Sequence, residues 1–154
     1  MQPSRRTPLA RNRALIVDLL VALGIGLVQV SGARVSEVVG QSPGWRPLDA
    51  WAYMLLVTGA AALLWRRRSP AVVLAVVMAA CVVYFALGYP YGPAWLALIV
   101  ALWTAVTGGA RRAAWVTTFV GLAVYFTLAA VVGRVEPINP ATVAAHTSSL
   151  LLVL

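Results

Sequence analysis

Apolar residues are arranged along this chain in long, uniform runs separated by short polar or turn-forming segments. The runs cover residues 14–31, 48–65, 70–87, 94–107, 113–132 and 141–154. Most approach the length of about 20 residues that an α-helix needs to cross a bilayer. Because the runs are uniform rather than alternating, they do not fit the strands of a membrane barrel. The pattern predicts an all-α integral membrane bundle.

The third and fourth runs belong to one uncharged stretch from Ser69 to Ala110, which is far too long for a single span. The segment Gly88–Pro93 divides it, since two glycines and two prolines among six residues stop a helix and form a turn. We therefore predict five complete spans. The sixth run, residues 141–154, would extend only about 21 Å as a helix, against a hydrocarbon core of about 30 Å. We expect the protein to continue beyond Leu154.

Composition agrees with a membrane domain. The chain is 62% hydrophobic and 10% charged, whereas soluble domains are about 45–50% apolar and about 25% charged. A soluble fold of this length needs more polar residues to cover its surface. The net charge of +8 comes from twelve arginines. Their clusters flank the apolar runs and form no basic stripe, which argues against direct nucleic-acid binding.

Arginine positions predict the orientation. The basic segment of residues 1–13, the Arg66–Arg68 cluster and the pair Arg111 and Arg112 together hold nine arginines on one side of the alternating spans, against three on the other. By the positive-inside rule the amino terminus is cytoplasmic. Small residues at Ser31–Ala33 also fit signal-peptide cleavage, but the first run is longer than a typical signal core, which favours a retained span.

Few residues carry candidate chemistry. Asp18 lies inside the first span near its cytoplasmic boundary. It can anchor the helix, through headgroup water or an arginine of Arg66–Arg68, or couple to a proton or cation; its position favours anchoring. Asp49 opens the second helix, where a carboxylate complements the positive helix end. Three aromatic residues, Tyr89, Tyr91 and Trp95, cluster at the outer turn, and Pro90 lies between the two tyrosines. This group fits either interface anchoring, which is favoured, or a small pocket for an apolar or amphipathic ligand.

No catalytic centre is apparent. His146 stands alone in the last run, and a metal site needs several ligands. Cys81 lies in the middle of the third span, where we expect an inert thiol. The sequence has no glycine-rich phosphate loop, metal motif or nucleophile motif. We assign no cofactor to this chain, and whether the parent protein is an enzyme stays open.

Four sequence fragments form a pattern: Arg-Pro-Leu-Asp at 46–49, Arg-Arg-Arg-Ser-Pro at 66–70, the Gly-Tyr-Pro turn that begins at Gly88, and Ala-Leu-Trp-Thr-Ala-Val at 101–106. Together they resemble the amino-terminal membrane region of bacterial sensor histidine kinases. The subgroup is the one that pairs with LuxR-type response regulators. Trp103 stands where that pattern leads us to expect tyrosine.

The resemblance implies a sensory input domain of a two-component system. Residues 14–154 would sense a membrane or small-molecule cue and relay it, as a homodimer, through the sixth helix to a cytoplasmic kinase core. That core, with its ATP and Mg²⁺ and its response regulator, lies outside this sequence, and the phosphoacceptor role is not carried over to His146. The expected location is the bacterial cell membrane. The alternative is a stand-alone multi-span protein such as a transporter subunit, while four acidic residues and one histidine, scattered along the chain, disfavour a membrane-bound enzyme.

Overall fold

The computed structural model describes residues 8–39, 45–90 and 92–131. These residues form five α-helices and no strand, which confirms the all-α prediction for the described part of the chain. The helices are α1 (Pro8–Val39), α2 (Ala50–Ala62), α3 (Pro70–Ala86), α4 (Leu96–Thr107) and α5 (Arg111–Val131). Single 3₁₀ turns extend α2 over Leu63–Trp65 and precede α4 over Pro93–Trp95. The predicted sixth run, residues 141–154, lies outside the described residues.

Helix α1 is longer than its apolar run. The sequence pattern ends the first helix at Ser31 and begins a loop at Gly32, but α1 continues to Val39. One side of this extension packs on the rest of the bundle, with Ala33 only 1% exposed, while Val35, Val38 and Val39 are exposed. Tertiary packing thus overrides the weak helix preference of the glycine. The other helices begin and end within a few residues of the predicted spans.

Helix α3 occupies the centre of the bundle, in contact with α2, α4 and α5, while α1 packs on α2 and on both 3₁₀ turns. Consecutive helices run antiparallel, so the bundle has two ends. We name the first the arginine end, formed by Asp18, Arg66–Arg68, Arg111 and Arg112. We name the other the turn end, formed by Arg46, Asp49 and the described residues 88–90 and 92–94.

The buried core consists of two apolar clusters. The larger one joins α3 to the other helices through small and branched side chains, among them Leu74, Val77, Ala101, Leu102 and Ala114. The smaller one lies at the turn end and contains Ala33, Ala52, Leu56, Tyr84, Tyr89 and Ala94. The short side chains of alanine allow helices to approach closely, which is typical of packing between membrane helices.

Two glycines end the central helices in the same way. Gly88 follows α3 with φ of +77°, and Gly109 follows α4 with φ of +82°. The Gly88 amide donates to the Phe85 carbonyl and the Tyr89 amide to the Tyr84 carbonyl. This pair of bonds is the Schellman arrangement, which requires a left-handed residue after the helix. It turns the chain sharply and places Tyr89 and Pro90 over the turn end.

Helix α1 and the segment before α4 fit together with no space between them. A β-carbon added to Gly32 would lie 2.3 Å from the Pro93 side chain, and one added to Gly92 would lie 2.9 Å from the Cα of Ala33. Both distances are far below van der Waals contact, so only glycine fits at either position. The two glycines let α1 approach the backbone of the turn directly.

The surface of the bundle is strongly apolar. Every helix exposes large apolar side chains, such as Leu20, Leu27, Val72, Trp103 and Val116. Within the described residues, the Asn12–Val39 part of α1 is the one stretch that is long and apolar enough to cross a membrane. Only 17% of its most apolar window is buried in the bundle. The helical parts Ala50–Trp65, Pro70–Ala86 and Pro93–Thr107 are apolar but shorter.

The tight contact at Gly32 predicts that alanine substitutions at two glycines of the same helix change the stability of the fold by very different amounts. Gly32→Ala should lower the free energy of unfolding by about 1–3 kcal/mol, because its methyl group must displace Pro93. Gly24→Ala is the matched control, since a β-carbon there meets no atom within 4 Å, and it should be neutral or slightly stabilising. Thermal unfolding of both variants in the same detergent measures the difference. Equal melting temperatures would contradict the packing described.

Candidate functional site

At the arginine end, α1 is joined to the end of α2 by an ion-pair network. Asp18 Oδ1 accepts hydrogen bonds from Nε and Nη2 of Arg66, at 3.0 and 2.7 Å. Asp18 Oδ2 accepts one from Nε of Arg67, at 2.7 Å. The side chain of Asp18 is 5% exposed and that of Arg66 12%, whereas that of Arg67 is 54% exposed. Charge-assisted bonds of this length are among the stronger hydrogen bonds in proteins.

Of the two partners that the sequence offered for Asp18, headgroup water or an arginine of Arg66–Arg68, the structure shows arginines. Both carboxylate oxygens bind them, so the group links α1 to the residues that follow α2. Arg66 and Arg67 reach it because the 3₁₀ turn Leu63–Trp65 ends α2 at the level of Asp18. Cations at this point also complement the negative end of α2.

The remaining arginines of this end, Arg68, Arg111 and Arg112, are exposed. Arg111 and Arg112 begin α5, whose first turn holds no acidic residue. Their charge is therefore not compensated within α5, and it faces the surroundings of the bundle. These residues make the arginine end a cationic surface.

At the turn end, Asp49 is the centre of a second polar cluster. Its Oδ1 caps α2 by accepting from the Ala52 amide at 3.0 Å, and it also accepts from the Tyr89 hydroxyl at 2.5 Å. Its Oδ2 binds Nη2 of Arg46 at 2.7 Å. The sequence predicted a favourable interaction between the Asp49 carboxylate and the start of the second helix. The structure shows this interaction, with Asp49 as the N-cap residue of α2.

The same cluster holds the turn before α4 in place. The Arg46 amide donates to the Gly88 carbonyl at 2.9 Å, and the Arg46 guanidinium lies 5.5 Å from the centre of the Tyr89 ring. The Tyr84 hydroxyl donates to the Pro90 carbonyl at 3.3 Å. The rings of Tyr84 and Tyr89 are 5.1 Å apart. The segment that begins α2 and the turn that follows α3 therefore form one unit.

Of the candidate residues at the outer turn, the structure brings only some together. Tyr89 and Pro90 are buried in the turn-end cluster. Trp95 is 42% exposed and points outward, as an anchoring residue would. Tyr91 lies outside the described residues.

Contacts at the turn end shift two pKa values. The hydrogen bond from Tyr89, the backbone amide of Ala52 and the charge of Arg46 lower the pKa of Asp49 below its ordinary value. Burial raises the pKa of Tyr89, and its bond to the Asp49 carboxylate raises it further. Asp49 therefore holds its charge, and Tyr89 its proton, at neutral pH.

Two further polar links at this end are not evident from the sequence. Arg34 donates to the Tyr53 hydroxyl at 3.1 Å and lies over the Tyr53 ring. Glu37 accepts from the Leu48 amide at 2.8 Å. Both arise because α1 extends beyond the predicted boundary at Ser31. They join the last turns of α1 to the start of α2.

Gln29 is a buried polar residue that the sequence analysis did not single out. It is 1% exposed, and its Nε2 donates to the Ala94 carbonyl at 2.5 Å. The Cys81 thiol donates to the same carbonyl at 3.5 Å. An amide within an otherwise apolar run was the available signal, since polar groups inside membrane spans are rare and carry specific contacts.

No cluster of metal-ligating side chains is present among residues 8–39, 45–90 and 92–131. These residues hold no group of three or more His, Cys, Asp or Glu side chains that could bind a metal ion. Cys81 is buried and unpaired with another cysteine. His146 lies outside the described residues. The polar chemistry of the described bundle joins helices to one another.

Comparison with known proteins places the chain in a family. Residues 7–154 match the family model described as a domain of unknown function, DUF7134. The chain therefore belongs to that family. No curated protein and no solved structure matches it.

The Asp18 network predicts that a small change of this side chain strongly lowers the stability of the fold. Asp18→Asn should lower the free energy of unfolding by about 2–4 kcal/mol, because it leaves the part-buried Arg66 without its counter-charge. Arg68→Gln, an exposed neighbour, should change it by no more than about 0.5 kcal/mol. Unfolding in one detergent measures both. If the two variants are equally stable, the network does not anchor α1.

The turn-end cluster predicts a loss of stability in acid. A carboxyl group whose pKa is lowered by folding stabilises the folded state above its unfolded pKa, and this contribution disappears as the pH falls through the lowered folded pKa. For Asp49 the loss begins near pH 4 and continues below it. Asp49→Asn keeps a capping side chain but should lose less stability than the native chain over that acid range. Melting temperatures of both proteins against pH provide the comparison, and identical acid profiles would refute it.

Proposed function

We propose that this chain is a multi-pass membrane domain, with the arginine end in the cytoplasm. The observation that carries the proposal is the distribution of polarity over the surface. Large apolar side chains are exposed on all five described helices, while the described charged residues lie at the two ends. A soluble monomer rarely exposes continuous apolar surface on this scale. A lipid environment accounts for it.

Hydroxyl groups on the helices support the same proposal. Ser31, Thr107 and Thr127 are exposed, yet each donates to the carbonyl four residues earlier in its own helix. Thr104 does the same. Within a bilayer no water is present to accept these bonds, so hydroxyl groups bond to their own helix.

The orientation is proposed from charge. The arginine end carries five arginines, at positions 66–68, 111 and 112, against the buried Asp18, and the exposed Arg13 precedes Asp18 on α1. At the turn end, Arg34 and Arg46 are balanced by Glu37 and Asp49. An excess of arginine on one side marks the cytoplasmic face.

The role we propose is that of the sensory input domain of a bacterial two-component sensor histidine kinase. Its support is the resemblance of the four sequence fragments to the membrane regions of that class. Two of the fragments contain Asp49 and Tyr89, which are joined by a direct hydrogen bond. Another contains Arg66, which binds Asp18 of α1. Residues that carry the resemblance thus also carry the contacts between helices.

The alternative, a transporter subunit, needs polar groups available to a substrate near the middle of the membrane. Asp18 is the acidic candidate inside a span, and its oxygens already bind Arg66 and Arg67. This occupation favours the anchoring role over coupling to a cation. The kinase-input role is therefore the one that we propose.

The proposed orientation predicts which loops a reagent can reach from outside. Pro47 and Ser69 are exposed at opposite ends of the bundle. In a Cys81→Ala background, Pro47→Cys in intact cells should react with a membrane-impermeant maleimide, and Ser69→Cys should react only after permeabilisation. Reversed labelling would overturn the orientation, and labelling of both in intact cells would overturn the membrane arrangement.

The kinase role is tested on the gene product that carries this chain. The coding sequence that follows Leu154 should encode a phosphoacceptor histidine helix and an ATP-binding domain. Vesicles that contain this product should incorporate phosphate from ATP into histidine, and a variant without that histidine should not. A product with no such core would overturn the kinase role while leaving the membrane proposal untouched.

A further inference from the structure

A small cavity lies where α1, α2, α3 and the segment before α4 meet. The cavity has a volume of about 10 Å³, which leaves room for about one water molecule. Gln29 is the one lining residue that carries a side-chain amide. The other lining residues are almost all apolar, and they include Leu55, Leu56, Gly59, Val77, Cys81 and Ala94.

The amide of Gln29 is only half satisfied. Its Nε2 donates to the Ala94 carbonyl, which fixes the orientation of the amide, because the opposite orientation would place two oxygens together. The Oε1 atom is buried and has no hydrogen-bond partner in the described part of the chain. A buried acceptor without a donor destabilises the folded state.

The lining residues of the cavity do not supply that donor. The Cys81 thiol is directed to the Ala94 carbonyl, and the Tyr84 hydroxyl to the Pro90 carbonyl. The remaining lining side chains are aliphatic or absent. The occupant must therefore donate a hydrogen bond and be no larger than the space available.

We propose that one internal water molecule occupies this cavity and donates a hydrogen bond to Oε1 of Gln29. The water would complete the pairing of the amide and fill the space between α1 and the α2–α3 pair. The proposal concerns the packing of the bundle. It holds whether or not the chain is the input domain of a kinase.

Gly59 offers a matched pair of substitutions. It lines the cavity, and a β-carbon added there would lie 3.9 Å from the Cβ of Ala97, which is an ordinary contact. Gly59→Ala would displace the water without replacing its donor, whereas Gly59→Ser would place a hydroxyl donor in the same space. We expect the alanine variant to melt about 2–6 °C below the serine variant. Helix propensity alone predicts the opposite order.

The control is the same pair in a Gln29→Met background, which removes the acceptor. There the alanine variant should be at least as stable as the serine variant. A crystal structure should also show density for one water within hydrogen-bond distance of Oε1 of Gln29. The proposal is overturned if alanine equals or exceeds serine in the native background, or if the density shows an empty cavity or a larger molecule.

Discussion

The position of α1 depends on a few specific polar contacts, because the helix buries little of its apolar surface. Most of its large apolar side chains face away from the bundle. Asp18 binds Arg66 and Arg67 at one point, and Gln29 binds the Ala94 carbonyl about 16 Å further along the axis. Apolar packing alone would allow α1 to slide or rotate, since one aliphatic contact replaces another at similar energy. Two polar attachments at a fixed separation allow one register.

Those attachments are effective because of their surroundings. In an apolar environment an unpaired carboxylate or amide has no water to bind, so a displaced α1 would expose groups that nothing else satisfies. Gly32 and Gly92 reinforce this arrangement, since each permits an approach that any β-carbon would block. At the turn end, Asp49 joins the start of α2 to Tyr89. Polar bonds thus set the register, and small residues set the distances.

The sequence was sufficient for α2 to α5, with approximate bounds, and for the local chemistry of two residues. Apolar runs and the Gly88–Pro93 turn gave α2 to α5 because these signals act within a few residues of one another. The contacts of Asp18 and Asp49 could also be predicted, because a carboxylate at a helix end or near an arginine cluster has few possible partners. Gln29 and the continuation of α1 beyond Ser31 were not, because both depend on the Pro93–Ala94 segment, which lies more than sixty residues away in the chain. A pattern read along one helix carries no information about such a partner.

The distribution of charge separates a topological role from a binding role. Under the proposed topology nine arginines and Asp18 lie on the cytoplasmic side, which accounts for the entire net charge of +8, while the three arginines and three acidic residues of the other side cancel. The two sides also differ in how the charges are used. At the turn end, Arg34, Arg46, Glu37 and Asp49 each make a hydrogen bond within the bundle. At the arginine end, Arg68, Arg111 and Arg112 remain exposed. Exposed cations on one side and internally paired charges on the other are what an oriented membrane protein requires, so the basic character of this chain needs no nucleic-acid partner to explain it.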